Sequence, residues 1–181
     1  MAAGQAATAD AAVTRQPGKV LAILVADCLP VLLASRSGEA VGAAHAGWRG
    51  LAAGVLEATV SALRVPPEQL CAWLGPAIGA RRFVVGEEVR AAFTDRDPRA
   101  QQAFRAGAAP PECGGGAQPA GRARWLCDLE LLARQRLAAL GLSALSSAGV
   151  CTHEDAARCF SYRRDGRTGR MAALIWRDPD A

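Results

Sequence analysis

The sequence lacks any segment that would hold it in a membrane or direct it across one. No apolar run approaches the about 18 residues that a membrane-spanning helix requires. The longest run, Val20 to Val25, has the length of a strand. Residues 1–12 are rich in alanine and have neither a basic segment nor an apolar core, so they are not a secretory signal peptide. We therefore expect a cytoplasmic protein that does not associate with membranes.

Paired cysteine motifs are also absent. Without a Cys-x-x-Cys pair or a secretion signal, a disulfide framework is not expected. We interpret three cysteines that lie in or beside apolar segments, Cys71, Cys127 and Cys151, as small core residues. Cys28 differs from them because it comes shortly after a predicted strand. The six cysteines are Cys28, Cys71, Cys113, Cys127, Cys151 and Cys159.

Aromatic residues are scarce, at 5% of the chain, and this affects how the net charge of +4 is interpreted. The arginines are spread along the sequence, and the one dense cluster, Arg163 to Arg170, contains an aspartate and turn-forming glycines. Only Phe160 and Tyr162 lie near it. Nucleic-acid grooves more often interleave basic residues with stacking aromatic side chains. The charge therefore favours a small anion, such as phosphate, over a nucleic acid.

The order of predicted elements indicates one α/β layered domain over residues 1–181. The continuous apolar run at 20–25 predicts a strand buried on both faces. Asp128 is the expected N-cap of the last helix, and Gly141 closes that helix. We expect residues 1–8 to be disordered and residues 94–124, rich in Gly and Pro, to form a surface excursion. Strands are predicted at 20–25, 31–33, 40–44, 70–74, 143–149 and 171–176, helices at 51–63, 87–93 and 128–140, and a turn at 35–39.

Two residues with metal-binding or nucleophilic side chains follow predicted strands. If the strands on either side of the 35–39 turn form a hairpin, Cys28 and His45 lie near one end of the sheet. In one interpretation the thiolate and the imidazole are ligands of a zinc ion. In another, His45 activates Cys28 as a nucleophile. The spacing alone does not separate these from a core cysteine beside a hydrogen-bonded turn histidine.

Two segments are candidate anion sites. Gly47 and Gly50 bracket a turn at a predicted helix N-terminus, where free amides favour anions, and Arg49 adds a bidentate donor. Arg163 and Arg164 belong to the second segment. Packing glycines and an exposed turn explain the same residues, so both interpretations stay open.

Four motifs, taken together and in order, resemble the laccase-domain family. The resemblance runs from about residue 9 to residue 176. Members of this family have been called polyphenol oxidases, purine nucleoside phosphorylases and peptidoglycan editing factors. The motifs are Ala26–Leu33 (ADCLPVLL), His45–Leu51 (HAGWRGL), Leu74–Gly79 (LGPAIG), and Cys151–Thr152 with Phe160–Arg170 (FSYRRDGRTGR).

The resemblance implies a three-layer α/β/α sandwich with a mixed sheet, a fold also found in a cysteine-hydrolase-like toxin domain. It implies a zinc ion, with copper as the alternative, held by two histidines and one cysteine. Cys28 and His45 stand at two of these positions. The family's third ligand is a histidine upstream of residues 9–14, and this sequence has no histidine before His45. We therefore expect the chain to begin after that segment, and we expect His153 at the surface rather than at the metal.

The activity implied by the resemblance is phosphorolysis of adenosine, inosine, guanosine and methylthioadenosine, with adenosine deamination as a companion. In deamination, zinc would activate a water for attack on C6 of adenine. Arg49, the helix N-terminus after Gly47, and Arg163 or Arg164 would hold phosphate. Asp27 is expected to accept a proton or to support a metal ligand. The expected partners are a nucleoside and phosphate, and the expected assembly is a monomer or a homodimer.

Other functions stay open. Cys28 or a metal-activated water could hydrolyse an amide in a peptidoglycan precursor. The chain could also be a catalytically impaired remnant, because the third metal ligand is missing. Copper-dependent phenol oxidation is disfavoured, since it requires several histidine-rich clusters and the sequence has two histidines.

Overall fold

The structure is a computed structural model that describes residues 9–107 and 124–178. None of the helices in these ranges is long and apolar enough to cross a bilayer. Short 3₁₀ helices span Pro67–Gln69 and Pro98–Ala103. The described helices are α1 (Trp48–Ala53), α2 (Val55–Leu63), α3 (Glu87–Thr94), α4 (Leu129–Ala139) and α5 (Tyr162–Asp165). The described strands are β1 (Ala11–Thr14), β2 (Leu21–Val25), β3 (Leu29–Ser35), β4 (Val41–Ala46), β5 (Leu70–Leu74), β6 (Val84–Gly86), β7 (Phe104–Ala106), β8 (Arg124–Cys127), β9 (Ala144–Ser147) and β10 (Met171–Ile175).

A five-stranded mixed sheet in the order β1-β4-β3-β5-β9 forms the centre of the fold. Its neighbours are antiparallel except β5 and β9, which run parallel. The predicted hairpin is confirmed: β3 and β4 pair around a turn in which the Ser35 backbone N–H donates to the Ala40 carbonyl at 2.9 Å. Gly38 lies in this turn with φ of +73°, a left-handed conformation that glycine adopts without strain. A smaller antiparallel sheet has the order β6-β8-β7.

Alternate residues of β3 and β4 face opposite sides of the central sheet. Val31, Leu33 and Ala44 pack in the main core, which includes Leu56 of α2 and Leu132 of α4. The other side is covered by the two-stranded ribbon of β2 and β10, through a second apolar cluster. This cluster contains Leu21, Ile23, Leu32, Ala34, Val41, Ala43 and Ile175.

This layering corrects part of the expected fold. The mixed sheet is confirmed, but in the ranges described the layer on its second face is made of strands, so that face does not carry the helices of an α/β/α sandwich. The strand at 20–25 is also not buried on both faces. Ala22 and Leu24 of β2 face outward, and Leu24 is 63% exposed. On β10 the outward residues Ala172 and Leu174 are exposed as well, which gives the ribbon an apolar outer face.

The helices differ from prediction at one point. The single helix expected at 51–63 is two helices, because Gly54 has φ of +95° and interrupts the helical backbone between α1 and α2. The helix at 128–140 is confirmed as α4, with the Asp128 carboxylate accepting from the Leu131 N–H at 2.9 Å. Gly141 follows it with φ of +92°.

The expectation of a surface excursion at 94–124 is wrong for the residues that the structure describes there. Residues 98–106 form a 3₁₀ helix followed by β7, and Ala100, Ala103 and Phe104 are buried. Phe104 packs against Phe93 of α3, with ring centroids 6.2 Å apart. The remainder of the segment, 108–123, and the predicted disorder at 1–8 lie outside the described residues.

Candidate functional site

The β3–β4 hairpin brings Cys28 and His45 together. His45 lies within β4, opposite Pro30 of β3, and not after the strand as predicted. Continuing that antiparallel register places Cys28, which immediately precedes β3, opposite Gly47. A Cβ atom built on Gly47 would lie 3.0 Å from Cys28 Sγ and 3.6 Å from His45 Nε2. The missing side chain at position 47 therefore leaves the room in which the thiol and the imidazole meet.

His45 is held from its other side by Asp10, which directly precedes β1. Its backbone N–H donates to the Asp10 carbonyl at 2.7 Å, and its Nδ1 lies 3.2 Å from Asp10 Oδ1. The adjacent Cys28 thiol contributes most to raising the pKa of His45 to about 9, and Asp10 raises it further, while partial burial acts in the opposite direction. The metal-free ring is therefore protonated at neutral pH.

The pair opens into a cleft of about 400 Å³ on the ribbon side of the sheet. Leu24 and Val25 of β2 form one wall, and Ile78 and Phe83 form another. Three residues of the last sequence motif, Tyr162, Arg163 and Arg170, complete it. This volume is within the range of small-molecule sites, and the cationic side is suited to an anionic substrate group.

Asp27 also borders the cleft, but both its carboxylate oxygens are engaged within the fold. Oδ1 accepts from the Thr152 hydroxyl at 2.6 Å, and Oδ2 accepts from the Arg163 backbone N–H at 2.6 Å. Its carbonyl accepts from the Ile78 N–H at 2.9 Å. Asp27 is 9% exposed and has φ of +93°, a conformation uncommon outside glycine. Asp27 therefore connects the end of β2 by hydrogen bonds to three segments that lie far away along the chain, at Ile78, Thr152 and Arg163.

The arginines predicted to bind phosphate are placed differently from one another. Arg163 lines the cleft, with its guanidinium 5.4 Å from the Phe83 ring centroid and donating to the Val84 carbonyl at 3.0 Å. The Arg164 guanidinium is instead directed to the carbonyls of Thr152, His153 and Cys159 and to the Asp165 carboxylate. Arg49 is exposed on α1 and stacks 4.4 Å from the Trp48 ring centroid. Of the three, the cleft brings only Arg163 close to Cys28.

The expectation that His153 is a surface residue is wrong. It is 8% exposed, and its Nε2 has no hydrogen-bond partner among the described residues. Burial lowers the pKa of His153, and the positive charges of Arg82 and Arg164 lower it further, against the opposing effect of Asp27 and Glu154. The ring is therefore neutral at neutral pH.

We expect the contribution of His153 to the free energy of unfolding to fall as the pH drops below about 6.5, the ordinary pKa of histidine. Just below this pH the unfolded chain binds a proton at His153, whereas the folded chain does not, because its pKa is lower. The stabilising contribution of His153 is therefore fully present above about pH 6.5 and is lost as the pH falls through the folded-state pKa. His45 acts in the opposite direction, because its folded-state pKa of about 9 lets the folded chain keep a proton that the unfolded chain begins to lose near about pH 6.5. Because His45 is present in both proteins, urea unfolding between about pH 5 and 7 should show stability increasing more with pH in the wild type than in His153→Gln. Equal slopes would contradict the assignment.

The described cysteines other than Cys28 lie outside the cleft. Cys127 is buried, and burial raises the pKa of its thiol. Cys151 accepts a hydrogen bond at its Sγ from the Gly79 N–H at 3.2 Å. Cys71 is exposed on β5, so its interpretation as a core residue is wrong. Cys113 lies outside the described residues.

Cys28 and His45 could supply two of the ligands of a zinc ion, because thiolates and imidazoles are common zinc ligands in proteins. Within residues 9–107 and 124–178, no three His, Cys, Asp or Glu side chains converge as a metal site. The sequence did not identify Asp10 or Arg170 as candidate site residues. Asp10 is recognised only from the pairing of β1 with β4.

Comparison with known proteins shows the family to which the chain belongs. The family model described as multi-copper polyphenol oxidoreductase laccase matches residues 1–178. The Pseudomonas aeruginosa protein named purine nucleoside phosphorylase PA4543 is 51% identical over 93% of the chain, and the Escherichia coli protein named purine nucleoside phosphorylase YfiH is 49% identical over 93%. The chain spans 64% and 63% of the lengths of these two relatives.

Solved structures agree with this match. The Neisseria meningitidis protein NMB0706 superposes with a TM-score of 0.83 at 46% identity, covering 94% of this chain and 65% of that one. YlmD from Geobacillus stearothermophilus gives a TM-score of 0.75 at 31% identity, covering 93% and 61%. The chain therefore belongs to the multi-copper polyphenol oxidoreductase laccase family, as its four motifs predict.

Proposed function

We propose that the chain is a zinc-dependent purine nucleoside phosphorylase with adenosine deamination as a companion activity. The observation that carries the proposal is a thiol–imidazole pair, Cys28 and His45, opening into a cleft that Arg163 and Arg170 also line. Relatives that are 51% and 49% identical are named purine nucleoside phosphorylases, which supports this substrate class. Cys28 and His45 would hold the metal, which supplies a Lewis acid when bound.

The cleft suits the two halves of the reaction. Arg163 and Arg170 would bind the phosphate dianion and hold one of its oxygens against the ribose C1′. That oxygen forms a bond to C1′ as the glycosidic C1′–N9 bond breaks, and the bonding electron pair leaves with the purine, which takes up a proton. Phe83 and Tyr162 offer aromatic surface for the base. The Asp27 carboxylate fixes the N-terminal end of α5, and thereby the position of Arg163.

Replacing Cys28 by serine is the test of this proposal. The wild type is expected to release adenine or hypoxanthine from adenosine or inosine only when phosphate is present. In Cys28→Ser the rate should fall by roughly 100-fold or more, because a metal ligand supports several kcal/mol of transition-state stabilisation. Chromatographic separation of bases and nucleosides, with inosine formation scored as deamination, measures both activities.

Cys71→Ser is the matched control, because Cys71 is an exposed thiol on β5 and does not line the cleft. It should retain the wild-type rate. Phosphate-dependent turnover that survives in Cys28→Ser would refute the assignment of the site.

Amide hydrolysis is a second candidate, favoured by one observation. In space, the His45 ring lies between the Cys28 thiol and the Asp10 carboxylate. A nucleophile, a base and an orienting carboxylate are arranged in this way in thiol hydrolases. A Cys71→Ser background allows the two candidates to be separated by inhibition. If a chelator abolishes turnover and added zinc restores it, the metal enzyme is supported. If turnover persists in the chelator but is abolished when Cys28 is alkylated, the thiol hydrolase is supported.

A further inference from the structure

Asp10 contacts His45 through two independent hydrogen bonds. Strands β1 and β4 pair with Ala11 opposite Ala44, so the next pair along the ladder is Asp10 and His45. The backbone bond between them measures 2.7 Å, and the side-chain contact joins Asp10 Oδ1 to His45 Nδ1 at 3.2 Å. Both residues are on the ribbon side of the sheet, because Ala11 and Ala44 pack on the helix side. The register therefore delivers a carboxylate to one nitrogen of the ring.

The second ring nitrogen faces the cysteine. A Cβ atom on Gly47 would be within 3.6 Å of His45 Nε2 and within 3.0 Å of Cys28 Sγ, so the thiol and Nε2 border the same small space. A carboxylate accepts hydrogen bonds and does not donate them, so its contact with Nδ1 requires the proton to reside on Nδ1. The lone pair of the neutral ring is then on Nε2, directed toward Cys28.

We propose that Asp10 is a positioning residue that holds His45 in the Nδ1–H tautomer, with Nε2 oriented beside Cys28 to accept a metal. The metal part of this inference rests on the proposed function, whereas the tautomer part concerns this chain alone. The Asp10 side chain is 65% exposed, so water and salt screen its attraction to the ring, and its contribution to overall stability is small. Its effect is on orientation and on ligand basicity, as for other carboxylates that contact metal-bound histidines.

Two measurements on the whole chain test the inference. Nitrogen-15 spectra of the ring nitrogens report the tautomer directly, and the sequence contains two histidines, His45 and His153, which His153→Gln assigns. They are recorded at a pH of about 10.5, above the pKa of His45 of about 9. The wild type is expected to show the Nδ1–H form, and Asp10→Ala a mixture of both tautomers. Cobalt titration at neutral pH, followed by thiolate-to-cobalt absorption, should show about 10- to 100-fold weaker binding in Asp10→Ala.

The control variants separate positioning from folding. Asp10→Ala keeps the backbone bond to His45, so the β1–β4 ladder is preserved. Asp10→Asn retains an acceptor oxygen and should restore part of the cobalt affinity and of the Nδ1–H population. Asp95→Ala, which removes an acid at the C-terminal end of α3, should change neither.

The outcomes also distinguish this inference from the proposed function. Unchanged tautomers together with unchanged cobalt affinity in Asp10→Ala would overturn the inference and leave the phosphorylase proposal intact. If Asp10→Ala changes the tautomer but the wild type binds no metal and turns over no nucleoside, the tautomer part of the inference is supported, and both its metal part and the metal enzyme are refuted.

Discussion

The Asp27→Ala protein is expected to have a free energy of unfolding about 3 kcal/mol or more below that of the wild type. Each hydrogen bond to a charged group contributes roughly 1.5–3 kcal/mol, and the Asp27 carboxylate accepts two, from the Thr152 hydroxyl and the Arg163 backbone N–H. Alanine also fits the left-handed backbone at this position poorly, since φ is +93°. Urea denaturation followed by circular dichroism measures the change, and nucleoside turnover should fall with it, because Arg163 loses its anchor.

Two further variants calibrate that result. Asp27→Asn keeps one acceptor oxygen and tolerates the backbone conformation, so its loss should be intermediate. Asp97→Ala removes a carboxylate near the surface that caps the 3₁₀ helix at the Arg99 N–H and pairs with the Arg99 guanidinium, and its loss of stability should be clearly smaller than that of Asp27→Ala. An Asp27→Ala protein as stable as Asp97→Ala would show that the fold does not depend on this carboxylate.

Gly47→Ala is expected to lower nucleoside turnover by about 100-fold, since displacing a reacting group by about 1 Å has effects of that size. The backbone at Gly47 has φ of −63° and ψ of 159°, which any residue adopts, so the effect is steric. The new Cβ atom would lie 3.0 Å from Cys28 Sγ, closer than an unstrained carbon–sulfur contact, and the thiol must move. Turnover and cobalt–thiolate absorption should both fall, while stability changes by less than about 1 kcal/mol.

Gly79→Ala is the matched control for this substitution. Its Cβ atom would meet another cysteine at almost the same distance, 3.1 Å from Cys151 Sγ, outside the Cys28 cleft. It should leave the cobalt spectrum unchanged. Equal losses of metal binding in the two variants would indicate a general packing effect, and the special role of Gly47 would be withdrawn.

The sequence was sufficient to predict the hairpin that joins the candidate ligands. The turn at 35–39 and the strands beside it imply that residues near 28 and 45 meet, and β3 and β4 confirm this. The apolar run at 20–25 was misleading about burial, because apolar composition does not show whether a second layer covers the strand. Leu24 is exposed for that reason. Gly54 divides the helix because its local backbone conformation outweighs the apolar periodicity on both sides.

The remaining contacts of the site depend on long-range pairing that a single sequence does not contain. Asp10 becomes a partner of His45 only through the β1–β4 register. The sequence predicted equivalent phosphate contacts for Arg163 and Arg164, yet Arg163 lines the cleft and Arg164 does not. The Arg164 guanidinium is directed to the carbonyls of Thr152 and Cys159. His153 follows a cysteine and a threonine in an irregular segment, where polarity predicts exposure, but the fold closes over it.

Two contacts of the site join residues that lie at very different separations along the chain. Asp10 and His45 are separated by 35 residues, whereas the bond from Arg163 to Asp27 closes a loop of 136. Loop-closure entropy makes the second contact more costly by roughly 1 kcal/mol. We therefore expect the contact between Asp10 and His45 to form ahead of the contact between Asp27 and Arg163 during folding.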